Sequence, residues 1–223
     1  MDQANEEQRP ILTPSWSLVR KNYDLLTEHL EQVVIIVLLP TLTITLGDLL
    51  IQSQKSLGTL VFLIGVLWYF FNIAASYGLQ LSAAKGKHIK IGDLYSQNWR
   101  YEWRLTCYTL IFAAITLIGF ILLVIPGLII LRRYLLSGFY VIDKNLSIGE
   151  AMKLSAAQTK AVSGYIWGTI GVVVALGIAG VVVSFLFTAI PGVPSIISSL
   201  VILSYIFVLA QRYLEVEKNA VAT

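Results

Sequence analysis

Long apolar stretches, recurring along the whole chain, are the feature that most restricts its fold. A helix that crosses a hydrocarbon core about 30 Å thick needs about 20 predominantly apolar residues. The run 33–51 meets that length, with Pro40 as an expected kink. The run 57–84 exceeds it, which allows tilt or extension past the membrane. The run 105–142 is too long for one crossing and is interrupted by Ile125-Pro126-Gly127. Proline stops the helical hydrogen-bond ladder and glycine accepts a positive φ, so Pro126 and Gly127 are expected to make a tight reversal between 105–124 and 128–142. The run 165–189 follows, then Ile190-Pro191-Gly192, where Pro191 and Gly192 are expected to turn the chain again, then 195–214. The expected fold is all-α: a polytopic membrane protein with six transmembrane helices as three hairpins. Composition excludes the alternatives. Hydrophobic residues make up 57% and charged residues 13%, against about 45–50% and about 25% in ordinary soluble domains. Disordered chains are polar and highly charged.

The charges orient the spans. With the N-terminus inside, one side of the membrane holds Arg9, Arg20, Lys21, Lys85, Lys87, Lys90, Arg100, Arg104, Lys144, Lys153, Lys160, Arg212 and Lys218. The other holds Lys55, with Arg132 and Arg133 just inside the fourth span. Lys and Arg are in excess on cytoplasmic loops, so both termini are expected in the cytoplasm. Trp16, Trp99, Trp103 and Trp167 fall at the same boundary, as amphipathic rings that prefer the headgroup layer do. A net charge of +3 is too mild to argue for nucleic acid as a partner. Cys107 is alone, and His29 and His88 are far apart, so neither an intrachain disulfide nor metal-ligand spacing is expected. The polar N-terminus lacks the pattern of a cleavable signal, so the first apolar run is expected to direct insertion.

Each pair of runs is preceded by an amphipathic stretch of helical character. The first starts at Thr13-Pro14-Ser15 and sets Trp16, Leu18, Val19, Leu25 and Leu26 among Arg20, Lys21, Asp24 and Glu28. The second starts at Ile91-Gly92-Asp93 and leads to Trp99 and Trp103. The third starts at Ser147-Ile148-Gly149-Glu150, a capping box in which Ser147 caps the helix and Glu150 reaches back. Ile-Gly-acid thus recurs at 91–93 and 148–150, and Ile-Pro-Gly at 125–127 and 190–192. These recurrences read as duplication into units 13–84, 91–145 and 147–216. Each is a cytoplasmic amphipathic helix followed by a transmembrane hairpin, and the three lie between a disordered tail over 1–12 and a cytoplasmic tail over 217–223. Such helices lie in the headgroup plane with the apolar face down, or pack on one another as a cytoplasmic cap.

Few residues offer chemistry. Arg132 and Arg133 fall about 7 Å past the expected reversal, at about 1.5 Å of rise per residue. From there both snorkel to the outer headgroups, or one points inward to bind a phosphate or carboxylate. Lys85, Lys87 and Lys90 form a basic cluster that either contacts an anionic lipid headgroup or acts only as a topology signal. Two stripes of small residues, Gly164, Gly168, Gly171 and Ala175, and Ala74, Gly78 and Ser82, are expected to seat a helix of the same chain, with a seam between copies as the alternative. No nucleophile stands with a base and no acid lies at mid-depth, so an enzyme is the least supported class. No catalytic residue, metal or cofactor is expected. The expected function is that of a non-enzymatic membrane protein. It would organise or bind lipid headgroups or membrane partners through interfacial residues such as Trp99, Arg100, Trp103 and Arg104. The alternative is a small transporter or lipid-handling protein, with Arg132, Arg133 and polar residues such as Asn72 around a cavity. Membrane lipids are the expected partners, with a second membrane protein or a second copy of the chain beside them.

Ile125-Pro126-Gly127, Arg132, Tyr140-Val141-Ile142-Asp143, Leu146-Ser147-Ile148-Gly149-Glu150-Ala151-Met152-Lys153-Leu154-Ser155 and Thr159-Lys160 together resemble a broad group of bacterial membrane proteins. The group includes the YciC-like inner-membrane proteins and the membrane domain found ahead of some glycerophosphodiester phosphodiesterases. The glycine that closes the group's pattern is displaced here to Gly164. The resemblance implies a multi-pass protein of the bacterial cytoplasmic membrane without the hydrolase activity. Single cysteines test the orientation: with Lys55→Cys, Lys87→Cys and Lys153→Cys, a membrane-impermeant maleimide added to cells labels the first alone. Labelling of either of the other two from outside contradicts the topology.

Overall fold

The computed structural model describes residues 12–187, 193–203 and 205–222, and every regular element among them is helical. The expected turn at Pro191 and Gly192, and the tail up to residue 11, lie outside the described residues. Leu12 is buried in the core.

The chain runs three times through the same succession: an amphipathic helix, a long apolar helix, a shorter helix folded back on it, and an inner helix after a break. In the first pass these are α1 (Ser15–Glu28), then α2 (Leu30–Val33) leading through a π-helical turn (Val34–Leu38) into α3 (Leu39–Ser53), then α4 (Lys55–Phe70) and α5 (Ile73–Ala84). The second pass is α6 (Ile91–Asn98), α7 (Glu102–Leu122), α8 (Val124–Tyr134) and α9 (Ser137–Asp143). The third is α10 (Ile148–Ala161), α11 (Ser163–Leu186), α12 (Val193–Leu203) and α13 (Val208–Ala222), the last of which carries helix on through Glu217. The starts follow the sequence signals. α1 begins directly after Pro14, the two Ile-Gly-acid motifs open α6 and α10, and the Ser147–Glu150 capping box is formed in both directions. Pro40 is accommodated by the π-helical turn before it, because its ring crowds the carbonyl four residues back and removes one donor from the ladder.

Four helical segments, Leu30–Ser53, Ile91–Leu122, Val124–Asp143 and Ser163–Leu186, are long and apolar enough to cross a membrane. A fifth arises if α4 and α5, bent by 46° at Phe71-Asn72, are taken as one broken span. α3 and α4 run antiparallel in close contact. A side chain on Gly47, Gly58 or Gly65 would overlap the facing helix at Phe62, Ile51 or Ile44. Large apolar side chains on the outer faces, such as Leu63, Leu67, Leu117, Ile121, Val181 and Phe185, are exposed, which is compatible with insertion into lipid.

Two expectations are corrected. The reversal after α7 pivots on Leu123, whose backbone is extended (φ −167°, ψ 150°), while Pro126 and Gly127 belong to the first turn of α8. Proline is well placed there, since a first-turn N–H has no helical acceptor. Gly127 serves close packing against Phe120 and has no positive φ. Of the two small-residue stripes, Ala74, Gly78 and Ser82 are buried, and a Cβ on Gly78 would overlap Asn98 of α6. In the other stripe Gly164, Gly171 and Ala175 are exposed, while a Cβ on Gly168 would come within 2.9 Å of Ser15 of α1. The packed face of α11 carries Ile166, Thr169, Ile170 and Gly180.

The inner helices α5, α9 and α13 form the centre. Tyr77 meets Phe139 edge-on at 5.0 Å, Phe139 stacks on Tyr213 at 5.4 Å, and Tyr140 meets Tyr213 edge-on at 4.8 Å. Beyond these rings, Lys85 pairs with Asp143, Lys144 with Glu217, and the Tyr213 hydroxyl donates to Asp143 at 2.7 Å. Each inner helix is preceded by a break, and each break is closed by the next pass round the molecule. At the first, the carboxylate of Glu102 at the start of α7 accepts the Ala74 N–H at 3.0 Å. At the second, a looser turn at Leu135-Leu136, the Ser155 hydroxyl of α10 donates to the Arg133 carbonyl, and that of Tyr108 to the Tyr134 carbonyl, both at 2.7 Å. At the third, Asn22 of α1 donates to the Leu203 carbonyl at 2.9 Å and accepts the Phe207 N–H at 2.8 Å. Leaving one such group unpaired costs about 1–3 kcal/mol. Asn22→Ala strands two, so a loss of about 3 kcal/mol and several degrees in detergent melting is expected, against no measurable change for the exposed Ser96→Ala.

Candidate functional site

The breaks that interrupt the helices also open a space between them. A partly open cavity of about 240 Å³ lies where the first and third breaks approach the π-helical turn. The turn contributes Ile36 and Val37, α3 Thr41, α4 Tyr69, the first break Asn72, and α5 Ile73, Ser76, Tyr77 and Gln80. Thr109 of α7 and Phe139 of α9 close one wall. Ile202, Tyr205, Ile206 and Leu209, at the third break, close the other. Most of the lining is apolar, with a few convergent amide and hydroxyl groups, as in small-molecule sites generally. Among the described residues, none that lines it carries a charge.

The polar groups are unequally engaged. Asn72 donates to the Trp68 carbonyl at 2.6 Å and accepts from the Tyr95 hydroxyl. Thr41 donates to the Val37 carbonyl at 2.7 Å, and Gln80 donates to the Ser76 hydroxyl at 3.2 Å. The Thr109 hydroxyl is buried with no hydrogen-bond partner. Tyr69, Tyr77 and Tyr205 add further hydroxyl-bearing side chains to the lining.

The residues singled out from sequence distribute differently. Arg132 and Arg133 stand in the last turn of α8, about 12–14 Å of helix beyond the reversal at about 1.5 Å per residue. They are therefore remote from that reversal, and neither lines the cavity. Their charges suit the negative end of the helix dipole, beside α10. Arg133 is exposed, while Arg132 is half-buried with its Nε unpartnered. Lys85 is taken up by Asp143, while Lys87 and Lys90 are exposed. Arg104 donates to the Asn145 side chain at 3.1 Å and the Leu146 carbonyl at 3.3 Å, and Arg100 lies over the Tyr101 ring at 4.7 Å. Trp16, Trp99 and Trp103 are 69%, 60% and 79% exposed, and Trp167 is 37% exposed.

Arg212, one of the basic residues that orient the spans, has a further part in the structure. It is fully buried. Its Nε donates to Thr169, its terminal nitrogens to Glu215, the Thr13 carbonyl and Ser15, and its plane lies over the Tyr165 ring. One guanidinium thus binds the start of α1 and the second turn of α11 to α13, a use of the planar fork that lysine cannot reproduce. His29 and His88, distant in sequence, stack at 5.1 Å. Burial holds the His29 imidazole below its ordinary pKa.

No known family model, no curated protein and no solved structure matches the chain. Among the described residues, no group of three or more His, Cys, Asp or Glu is assembled that could hold a metal ion.

Proposed function

We propose that the chain is a non-enzymatic, lipid-handling or transport protein that takes an amphipathic molecule into the cavity at its helix breaks. One observation carries this reading: helices are interrupted, and hydrogen-bonding groups gathered, around a single space otherwise lined by apolar side chains. Irregular backbone at membrane depth persists only where it is buried in protein or borders a cavity, and interrupted helices commonly frame binding sites in transporters. In this reading six spans cross the bilayer as three hairpins, each of the second spans being broken into an outer half (α4, α8, α12) and an inner half (α5, α9, α13). The lysine-bearing ends of the inner helices and α1, α6 and α10 face the cytoplasm, as do both termini. The bacterial cytoplasmic membrane as location rests on the resemblance over 124–160. The arginine pair has no part in the cavity.

A second reading draws on the exposed rings of Trp16, Trp99 and Trp103. They seat the cytoplasmic edge in the headgroup layer, where Lys87, Lys90 and Arg100 meet anionic lipids or a membrane partner, including another copy of the chain.

The cavity reading is tested with a lipid that carries a photoactivatable diazirine in its acyl chain, applied to the full chain in bilayer nanodiscs. Adducts are expected within 69–80 and 202–209, lost in Ser76→Phe, which fills the space, and kept in Arg132→Gln and Arg133→Gln. Adducts confined to the outer faces of α4, α7 and α11, unchanged by Ser76→Phe, contradict it.

A further inference from the structure

We infer that the occupant of the cavity is an uncharged amphiphile whose head carries hydroxyl and carbonyl oxygens, such as a glycerol ester or a long-chain alcohol. This rests on the cavity reading above and adds the chemistry of the ligand. The lining presents amides, aliphatic hydroxyls and tyrosines, with no Lys, Arg, His, Asp or Glu among the described residues. An ionic head would leave water without meeting a counter-charge, which is strongly unfavourable, whereas an uncharged polar head exchanges its water for hydrogen bonds. Tyr77 and Thr109 carry hydroxyls that both donate and accept, so they match alcohol and carbonyl oxygens alike. They come from different elements, α5 and α7, on two sides of the space.

The volume sets a second limit. About 240 Å³ holds roughly eight waters at about 30 Å³ each. That accommodates a small head and the first carbons of a chain, but not a whole lipid. The rest of the chain leaves through the open side. Ile36, Val37, Ile202, Ile206 and Leu209 supply the apolar wall along which its first carbons lie. Arg132 and Arg133, the groups best suited to an anionic head, stand elsewhere, in the last turn of α8.

The test compares radiolabelled monooleoylglycerol with oleate, which share an acyl chain and differ in head charge, on the full chain in phosphatidylcholine nanodiscs at neutral pH. Saturable binding of monooleoylglycerol at least tenfold tighter than that of oleate is expected. Tyr77→Phe and Thr109→Val, which keep the shape of the wall, each weaken it by about three- to tenfold, as loss of one hydrogen bond does. Arg132→Gln leaves it unchanged. Oleate binding as tightly, or a Tyr77→Phe/Thr109→Val double variant binding like the parent, overturns the inference while the cavity reading stands. Saturable binding of neither probe overturns both.

Discussion

A broken helix in apolar surroundings must find partners for the backbone groups that the break releases. Water is not there to take them, and each unpaired group costs several kcal/mol in hydrocarbon. Here the partners are side chains: Glu102 at the first break, Ser155 and Tyr108 at the second, Asn22 at the third. Each set includes a residue borrowed from the next pass, in cyclic order, so that the first pass closes the third. No pass is complete alone. On α1 and α10 the residues that do this work, Asn22 and Ser155, are fully buried, while Trp16 of α1 is exposed.

Other contacts add to that frame unequally. The aromatic contacts among Tyr77, Phe139, Tyr140 and Tyr213 bury large surfaces at the axis and hold the inner helices at fixed angles. The Lys85–Asp143 and Lys144–Glu217 pairs are partly exposed and contribute about 0–1 kcal/mol each. Arg212 is different in kind. A buried charge is tolerated only when its donors are satisfied, and four bonds and a ring face satisfy this one. Because the inner helices are offset from the outer halves, their junctions do not fill, and the cavity lies between two of them.

Helical class, the starts of α1, α6 and α10, and the packing role of Ala74, Gly78 and Ser82 were legible in the sequence, because first-turn residues, the capping box of α10 and residue size act locally. The breaks were not. Phe71-Asn72 and Leu135-Leu136 contain neither proline nor glycine, and their cost is offset by residues far along the chain. Pro126 misled in the opposite sense, since a proline in the first turn of a helix marks a start as readily as a stop. Asn22 is one more polar residue on an amphipathic stretch and Arg212 one more basic residue at the end of an apolar run, and only the fold shows what they face. The stripe on α11 has the spacing of a packing seam, yet of its glycines only Gly168 faces another element among the described residues, at Ser15. Asn72, Gln80 and Thr109 could be picked out as polar groups within apolar runs; that they share one space with Tyr77 depends on the three-fold arrangement.

Residue-resolved amide exchange tests most directly whether side chains of one pass close the breaks of another. Exchange at Phe207 should rise in Asn22→Ala while Ala74 stays protected, and exchange at Ala74 should rise in Glu102→Ala while Phe207 stays protected. Uniform loosening by either substitution, or protection unchanged at both amides, would contradict the account.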